Sequence, residues 1–468
     1  VPSASSASSP SPAVSDSRRA GPPSLWRNSD FRRLWTGQTA SQLGEHTTLV
    51  VLPLLAVLTL HADAGQLGVL RAVGQAPILL LSLFAGAWVD RWRTRTTMVL
   101  TDAGRALALG AAAVAGLFGL LGLPALLILA FAVGALSVFF DVAYQASLVR
   151  LVERDQLVRG NSALEGSRSA AQIGGPALGG ALVSLLSAPV AAAAGALFFA
   201  LSFLSIRRIR RTEAIPGIRR TGALPKRCRT GVMSRIRRNA AVPERPEPAP
   251  RVWRRIHDGL RFVAGDGALR AVCLASAAFQ FFFAAVMTVY LLFLPRELLL
   301  PGTVVGLALT AAGPGALLGS LLAARLPGRF GHGPVLVCAA AVGDGAFLCV
   351  PALDGSSAVT VPALLAVGFV FGCGGQLVNV TVMAVRQAVT PDGMQGRAAA
   401  TITFVGMGMT PLGSLAGGFL AEEWGLRTGL LVTAAGMMLS PVVMAVSPLA
   451  RLGRRLPGTA RAADGDRC

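Results

Sequence analysis

The sequence predicts an all-α polytopic membrane protein of twelve transmembrane helices in two pseudo-symmetric six-helix halves. Three observations predict it. The chain holds a dozen long apolar stretches, and a helix of about 20 apolar residues crosses a hydrocarbon layer of about 30 Å. Arginines crowd alternate connections between those stretches. A block of motif residues recurs about 235 residues later, on the far side of a basic linker. Composition agrees: of 468 residues, 53% are hydrophobic and 14% charged, against about 25% charged in soluble domains. Mean hydropathy is +0.60.

The spans are expected, in order, at 37–60, 66–89, 96–118, 124–147, 164–187, 189–206, 269–294, 302–324, 334–353, 359–385, 398–421 and 425–447. The 54 Gly and 28 Pro do not signal disorder. Small residues let membrane helices approach closely, and prolines bend them. The even-numbered connections carry Arg91, Arg93 and Arg95, then Arg150, Arg154 and Arg159, then the linker, then Arg325 and Arg329, then Arg386 and Arg397. The odd-numbered connections are almost free of arginine, apart from Arg296 and Arg427, each beside a Glu. The positive-inside rule then places both termini in the cytoplasm.

Domain organisation follows. Residues 1–30 are expected as a disordered cytoplasmic tail, and no signal peptide is expected because the first 25 residues lack an apolar core. Residues 31–206 form the first half, 207–268 a basic cytoplasmic linker, 269–448 the second half and 449–468 a cytoplasmic tail. Between 207 and 261 the chain has 17 basic residues against four acidic ones, most of the net +20. Within the linker, Val252, Ile256, Leu260 and Val263 share one helical face, which fits an interfacial amphipathic helix over 252–263.

The charge excludes less than it first suggests. Basic loops that meet anionic lipid explain it, so membrane lipids are expected partners and nucleic acid is not. The six cysteines include no Cys-x-x-Cys pair, so no disulfide framework and no metal site are expected. No Walker A motif occurs, and the one lysine, Lys226, lies in the linker. No cluster of His, Asp or Ser has catalytic spacing, so no catalytic residue, cofactor or enzyme activity is expected.

The informative residues are the polar ones that apolar spans do not bury for free. Glu45 lies about nine residues into span one, ~13 Å deep at 1.5 Å per residue. It suits a proton-titrating or cation-binding role, or a neutral hydrogen-bonded one inside the bundle. His46 follows on a different face. Asp102 and Arg105 in span three, and Glu165 and Arg168 in span five, are i,i+3 pairs; each fits a structural or a coupling role. Arg71 sits early in span two, close enough to the outer interface to snorkel. In the second half, Gln376 and Asn379 share a face and suit a cavity lining or a helix-to-helix hydrogen bond; Gln280 and Asp344 are the other notable polar groups. The stretch FQFFFAAVMTVY at 279–290 offers aromatic and Met surface to a large apolar ligand, or to lipid.

Three motifs remain: GAWVDRWRTR at 86–95, NSALEGSRSAAQIGGPALGG at 161–180, and RQAVTPDGMQGR with PLGSLAGG in the second half. On these, residues 25–450 resemble the major facilitator superfamily, in the bacterial drug and siderophore exporter branch that includes enterobactin exporters and macrolide efflux proteins. The resemblance implies the fold of that superfamily and alternating access to a central site. It implies a gating network of Gly86, Asp90, Arg91 and Arg95, joined by Asp141 low in span four. This chain departs from the family loop by carrying Arg93 and Thr94. It gives Gly174, Gly175, Pro176, Gly179 and Gly180 the antiporter pattern of span five, beside the plainer reading of close packing; Pro411, Gly413, Gly417 and Gly418 match it in span eleven. The expected function is secondary efflux of a hydrophobic or amphipathic small molecule (a drug, antibiotic or siderophore) with the proton as coupling ion, by a monomer. The alternatives are a lysophospholipid or other lipid transporter, an importer of the same fold, or a non-transport sensor or scaffold acting through the linker.

Overall fold

The computed structural model describes residues 25–89, 93–151, 157–209, 260–355, 359–391 and 394–454. Six long helices form the first half: α1 (Ser29–Thr59), α2 (Ala64–Val89), α3 (Thr94–Leu117), α4 (Leu123–Leu151), α5 (Leu157–Leu185) and α6 (Ala188–Arg207). The second half begins with α7 (Gly267–Arg296). Its next span is two pieces, α8 (Gly302–Thr310) and α9 (Ala312–Ala323), followed by the short connector α10 (Leu326–Phe330). Then come α11 (His332–Gly345), which runs into a 3-10 turn at Ala346–Ala352, α12 (Thr360–Val389), α13 (Gln395–Trp424), and a last span of α14 (Leu426–Met437) and α15 (Leu439–Val446). Among the described residues every regular element is helical.

Eleven of the twelve spans are long and apolar enough to cross a membrane. The other, α5, carries Arg159, Glu165 and Arg168 in its first half. Local chemistry sets the ends and breaks. The Asn28 side chain accepts from the Asp30 and Phe31 amides at 3.0 and 3.3 Å, capping α1. Asp266 does the same for α7, at 2.9 Å to both Ala268 and Leu269. The break at Ala311 lies three residues before Pro314, and the break at Met438 three before Pro441. A proline has no N–H to offer the preceding turn and crowds its carbonyl.

The expected spans and helices agree in order and place; several helices, such as Ser29–Thr59 and Gln395–Trp424, run longer because their polar ends continue past the apolar runs. Of the expected interfacial helix at 252–263, residues 260–265 are helical and 252–259 lie outside the described residues. The two tails and most of the linker also lie outside them. The exceptional arginines have local uses. Arg296 donates to the Ala62 carbonyl of the first half at 2.6 Å, and Arg427 pairs with Asp354 at 2.7 Å.

Where the core sits carries the functional information. At the end of the bundle away from the termini, one apolar cluster runs through both halves, joining Val50, Leu55 and Leu67 to Val286, Leu294, Val305 and Leu430. At the end that carries the termini the core divides. One cluster belongs to the first half, around Phe31, Met98, Phe140 and Ile206. Another belongs to the second, around Leu269, Leu336, Val385 and Ile402. Outward-facing Leu107, Ile128 and Leu185 are largely exposed, as a lipid-facing surface requires.

Candidate functional site

Glycines bring the two halves together. On α5, a Cβ at Gly175 would fall 2.5 Å from the His46 Cβ, and one at Gly179 would fall 3.0 Å from the Thr47 carbonyl. These two therefore seat α5 on α1. Gly180 points the other way: its Cβ would lie 2.2 Å from the Gly302 carbonyl on α8. On α13, Gly413 and Gly417 press on Phe281 and Ala285 of α7, with Cβ approaches of 1.9 and 2.5 Å. Gly418 meets Ala64 and Gly68 at the start of α2. Each half thus uses two glycines to hold its own first helix and a third to touch the opposite half. Gly174 has nothing within 4 Å of a Cβ, and Pro176 lines the space between the halves. At the same end, the Thr303 amide donates to the Ser184 hydroxyl at 2.6 Å.

Inside the first half lies a charge network. Arg105 on α3 donates to Asp102, one turn before it, and both side chains are fully buried. The Arg105 guanidinium also donates to Ser41 at 2.9 Å and Ser137 at 3.2 Å. It lies over the rings of Phe140 and Phe199, 4.5 and 4.4 Å from their centroids. Asp102 accepts from Ser202 and, at 3.2 Å, from Ser41. Glu45 on α1 reaches the same guanidinium, with its Oε2 3.8 Å from Nη1. That oxygen is buried and accepts no hydrogen bond. The Glu45 side chain keeps 26% exposure where Arg105 and Asp102 keep none. Asp141 on α4 and Arg168 on α5 also act electrostatically on Glu45.

The candidate residues separate into groups. Glu45, Asp102, Arg105, Asp141 and Arg168 come together. Glu165 is exposed, and among the described residues it makes no ion pair with Arg168, which acts electrostatically on Asp141 and Tyr144. Arg95 donates to the Arg207 carbonyl at the end of α6, on the termini side. Gly86 lies in the last turn of α2; Asp90 and Arg91 lie outside the described residues. Gln376 and Asn379 part company: Gln376 lines the cavity between the halves, and Asn379 lines a smaller one within the second half. That smaller cavity, about 320 Å³, also gathers Gln280, Asp344 and Arg386.

The cavity between the halves measures about 650 Å³. Leu49, Arg71, Gln172 and Pro176 line it from the first half, and Met287, Tyr290, Phe347 and Phe371 from the second. Phe279, Phe283 and Phe371 stack on one another. So part of the aromatic run of α7 faces inward, to a ligand-sized space. Arg71 corrects the sequence expectation of snorkelling: it lines this cavity, and its Nε is buried without a partner. Sequence reasoning also missed Ser41, Ser137 and Ser202. No spacing signals them, since they come from three helices and are gathered by folding.

Residues 34–294 match the family model described as Major Facilitator Superfamily, and residues 228–456 one described as transmembrane secretion effector. The multidrug efflux pump Tap of Mycolicibacterium fortuitum is 25% identical over 426 residues, 87% of this chain and 93% of that protein. Among solved structures, a bacterial homologue of the iron transporter ferroportin in its inward-facing state superposes with a TM-score of 0.67 at 18% identity, covering 90% of this chain and 98% of the other. A bacterial homologue of the human lysosomal transporter Spinster, also inward-facing, gives 0.64 at 11% identity, covering 92% and 98%. These structural likenesses are of fold.

Proposed function

Since the chain belongs to the major facilitator superfamily, we propose that it is a proton-coupled exporter of hydrophobic or amphipathic small molecules, working by alternating access. The observation that carries this reading is the apolar, aromatic cavity between the halves, with a buried carboxylate, Glu45, in the helix that forms one of its walls. The cavity suits a large apolar cargo. Glu45 suits a coupling acid: its side chain is partly exposed and lies 3.8 Å from the Arg105 guanidinium, so taking up a proton removes that attraction. The likeness to a multidrug efflux pump supports the outward direction.

Both termini are cytoplasmic in this reading, in a bacterial cytoplasmic membrane, and the end where the halves share one core is the outer one. Gly86, Asp90, Arg91, Arg95 and Asp141 form the inner gate. One chain contains both halves and the whole cavity, so it works as a monomer. Proton entry contributes about 2.3 kcal/mol per charge per 100 mV from the electrical term.

The test uses everted membrane vesicles energised by respiration, with a panel of antibiotics and lipophilic dyes. Uptake into the vesicles is expected, and an uncoupler is expected to abolish it. Uptake that persists after the gradient has collapsed overturns the antiport reading.

A further inference from the structure

We propose that the central cavity selects cargo carrying an acidic group, and that Arg71 is the counter-charge that binds it. The proposal rests on the reading of this cavity as the cargo site.

Arg71 lies on α2, seven residues into the helix from the end where the halves meet. Among the described residues it makes no hydrogen bond and no ion pair, and its Nε is buried. Among the described residues, the other buried arginine of the first half is fully answered. Arg105 has Asp102, two serines and two aromatic rings. Glu45 lies 3.8 Å from Arg105. Among the described residues, the cavity wall contains no Asp or Glu. Its polar groups are Ser169, Gln172, Ser320, Gln376, His46 and Tyr290, none of which carries negative charge at neutral pH.

An uncompensated guanidinium in an apolar, membrane-embedded space is costly. A planar guanidinium has five N–H donors in a fork that matches carboxylate and phosphate oxygens. Arg71 is therefore a permanent cation with free donors, facing an aromatic wall of Phe283, Phe347 and Phe371. The complement of that surface is an aromatic or aliphatic body bearing a carboxylate, phosphate or sulfonate. A lipophilic cation fits poorly, because no acid in the cavity meets it. The anion has two possible sources, an acidic small molecule or the headgroup of an anionic lipid.

The test measures binding to the full chain in nanodiscs, with three probes on one apolar body: naphthylacetate, its neutral amide, and the corresponding naphthylethylamine. In phosphatidylcholine discs, the acid is expected to bind about tenfold tighter than the amide or the amine. Arg71→Gln is expected to bring the acid down to the level of the amide and leave the amide unchanged; Arg71→Lys is expected to keep part of the preference. If the source is a lipid headgroup, phosphatidylglycerol discs remove the advantage of the acid, and less phosphatidylglycerol co-purifies with Arg71→Gln than with the unaltered chain. An acid that binds no better than its amide in phosphatidylcholine, without Arg71-dependent lipid retention, overturns the proposal. So does an acid preference that survives in Arg71→Gln. The series on the unaltered chain needs no variant to fold. Because it reads binding alone, it stands apart from the gradient experiment: loss of gradient-driven uptake sinks antiport, and loss of acid preference sinks this inference.

Discussion

At the scale of single residues, the first half concentrates its polar chemistry around Arg105. Removing one partner of a buried ion pair leaves the other charged and unsatisfied. Arg105→Gln is expected to destabilise the protein by about 3–5 kcal/mol, because the Asp102 carboxylate is then buried alone. Adding Asp102→Asn to that variant removes the stranded charge and is expected to recover much of the loss; thermal melting in detergent measures both effects. Glu45 is different in kind. Its contact with Arg105 is longer, at 3.8 Å, and its side chain is partly exposed. Glu45→Gln is expected to preserve folding and cargo binding but reduce gradient-driven transport to the level seen with an uncoupler. Full gradient-driven transport by that variant removes Glu45 from coupling. The Asp102–Arg105 pair was legible in the sequence as an i,i+3 spacing, and Glu45 as a lone acid in an apolar run. That Glu45 reaches the same guanidinium was not legible, because 60 positions separate it from Arg105.

At the scale of helices, the glycine motif of α5 resolves into positions with separate tasks. Gly180 allows α5 to touch α8, and Gly418 allows α13 to touch α2. Gly180→Leu puts a side chain where the Gly302 backbone lies, so it is expected to keep the halves apart at that end. Cross-linking of a cysteine pair placed across the α5–α8 ends is expected to fall, and transport with it. Gly174→Ala is the matched control. It meets nothing within 4 Å, so cross-linking and transport are expected to stay unchanged. Equal losses from both variants would mean that the motif acts through backbone flexibility and not through close approach. The sequence shows a run of small residues but not which helix each one faces; the stretch from Gly174 to Gly180 covers more than a full turn, so its glycines point in several directions.

At the scale of the whole molecule, the distribution of the core describes a conformational state. One cluster unites the halves away from the termini, and separate clusters within each half hold them near the termini. Contacts between α2 and α13 and between α5 and α8 lie at the united end. Two rigid halves joined this way can rock, and the opposite state needs the termini-side ends to meet. Sidedness is testable in a variant lacking native cysteines. A single cysteine replacing Asp63 is expected to react with an impermeant maleimide on intact cells, and one replacing Arg329 only after permeabilisation. The reverse pattern overturns cytoplasmic termini.

By itself, the sequence determined the number, order and approximate limits of the spans, their alternating direction, the two related halves and the family. Apolar length, arginine bias and internal repetition are local or additive properties, so they can be read along the chain. Tertiary structure alone decided that Arg71 lines a cavity where the sequence suggested the interface, that Gln376 and Asn379 face different spaces, and that serines from three helices close the shell around Asp102 and Arg105. A helical position is defined by depth and angle. The sequence sets depth, but the angle has meaning only once the neighbouring helices are in place.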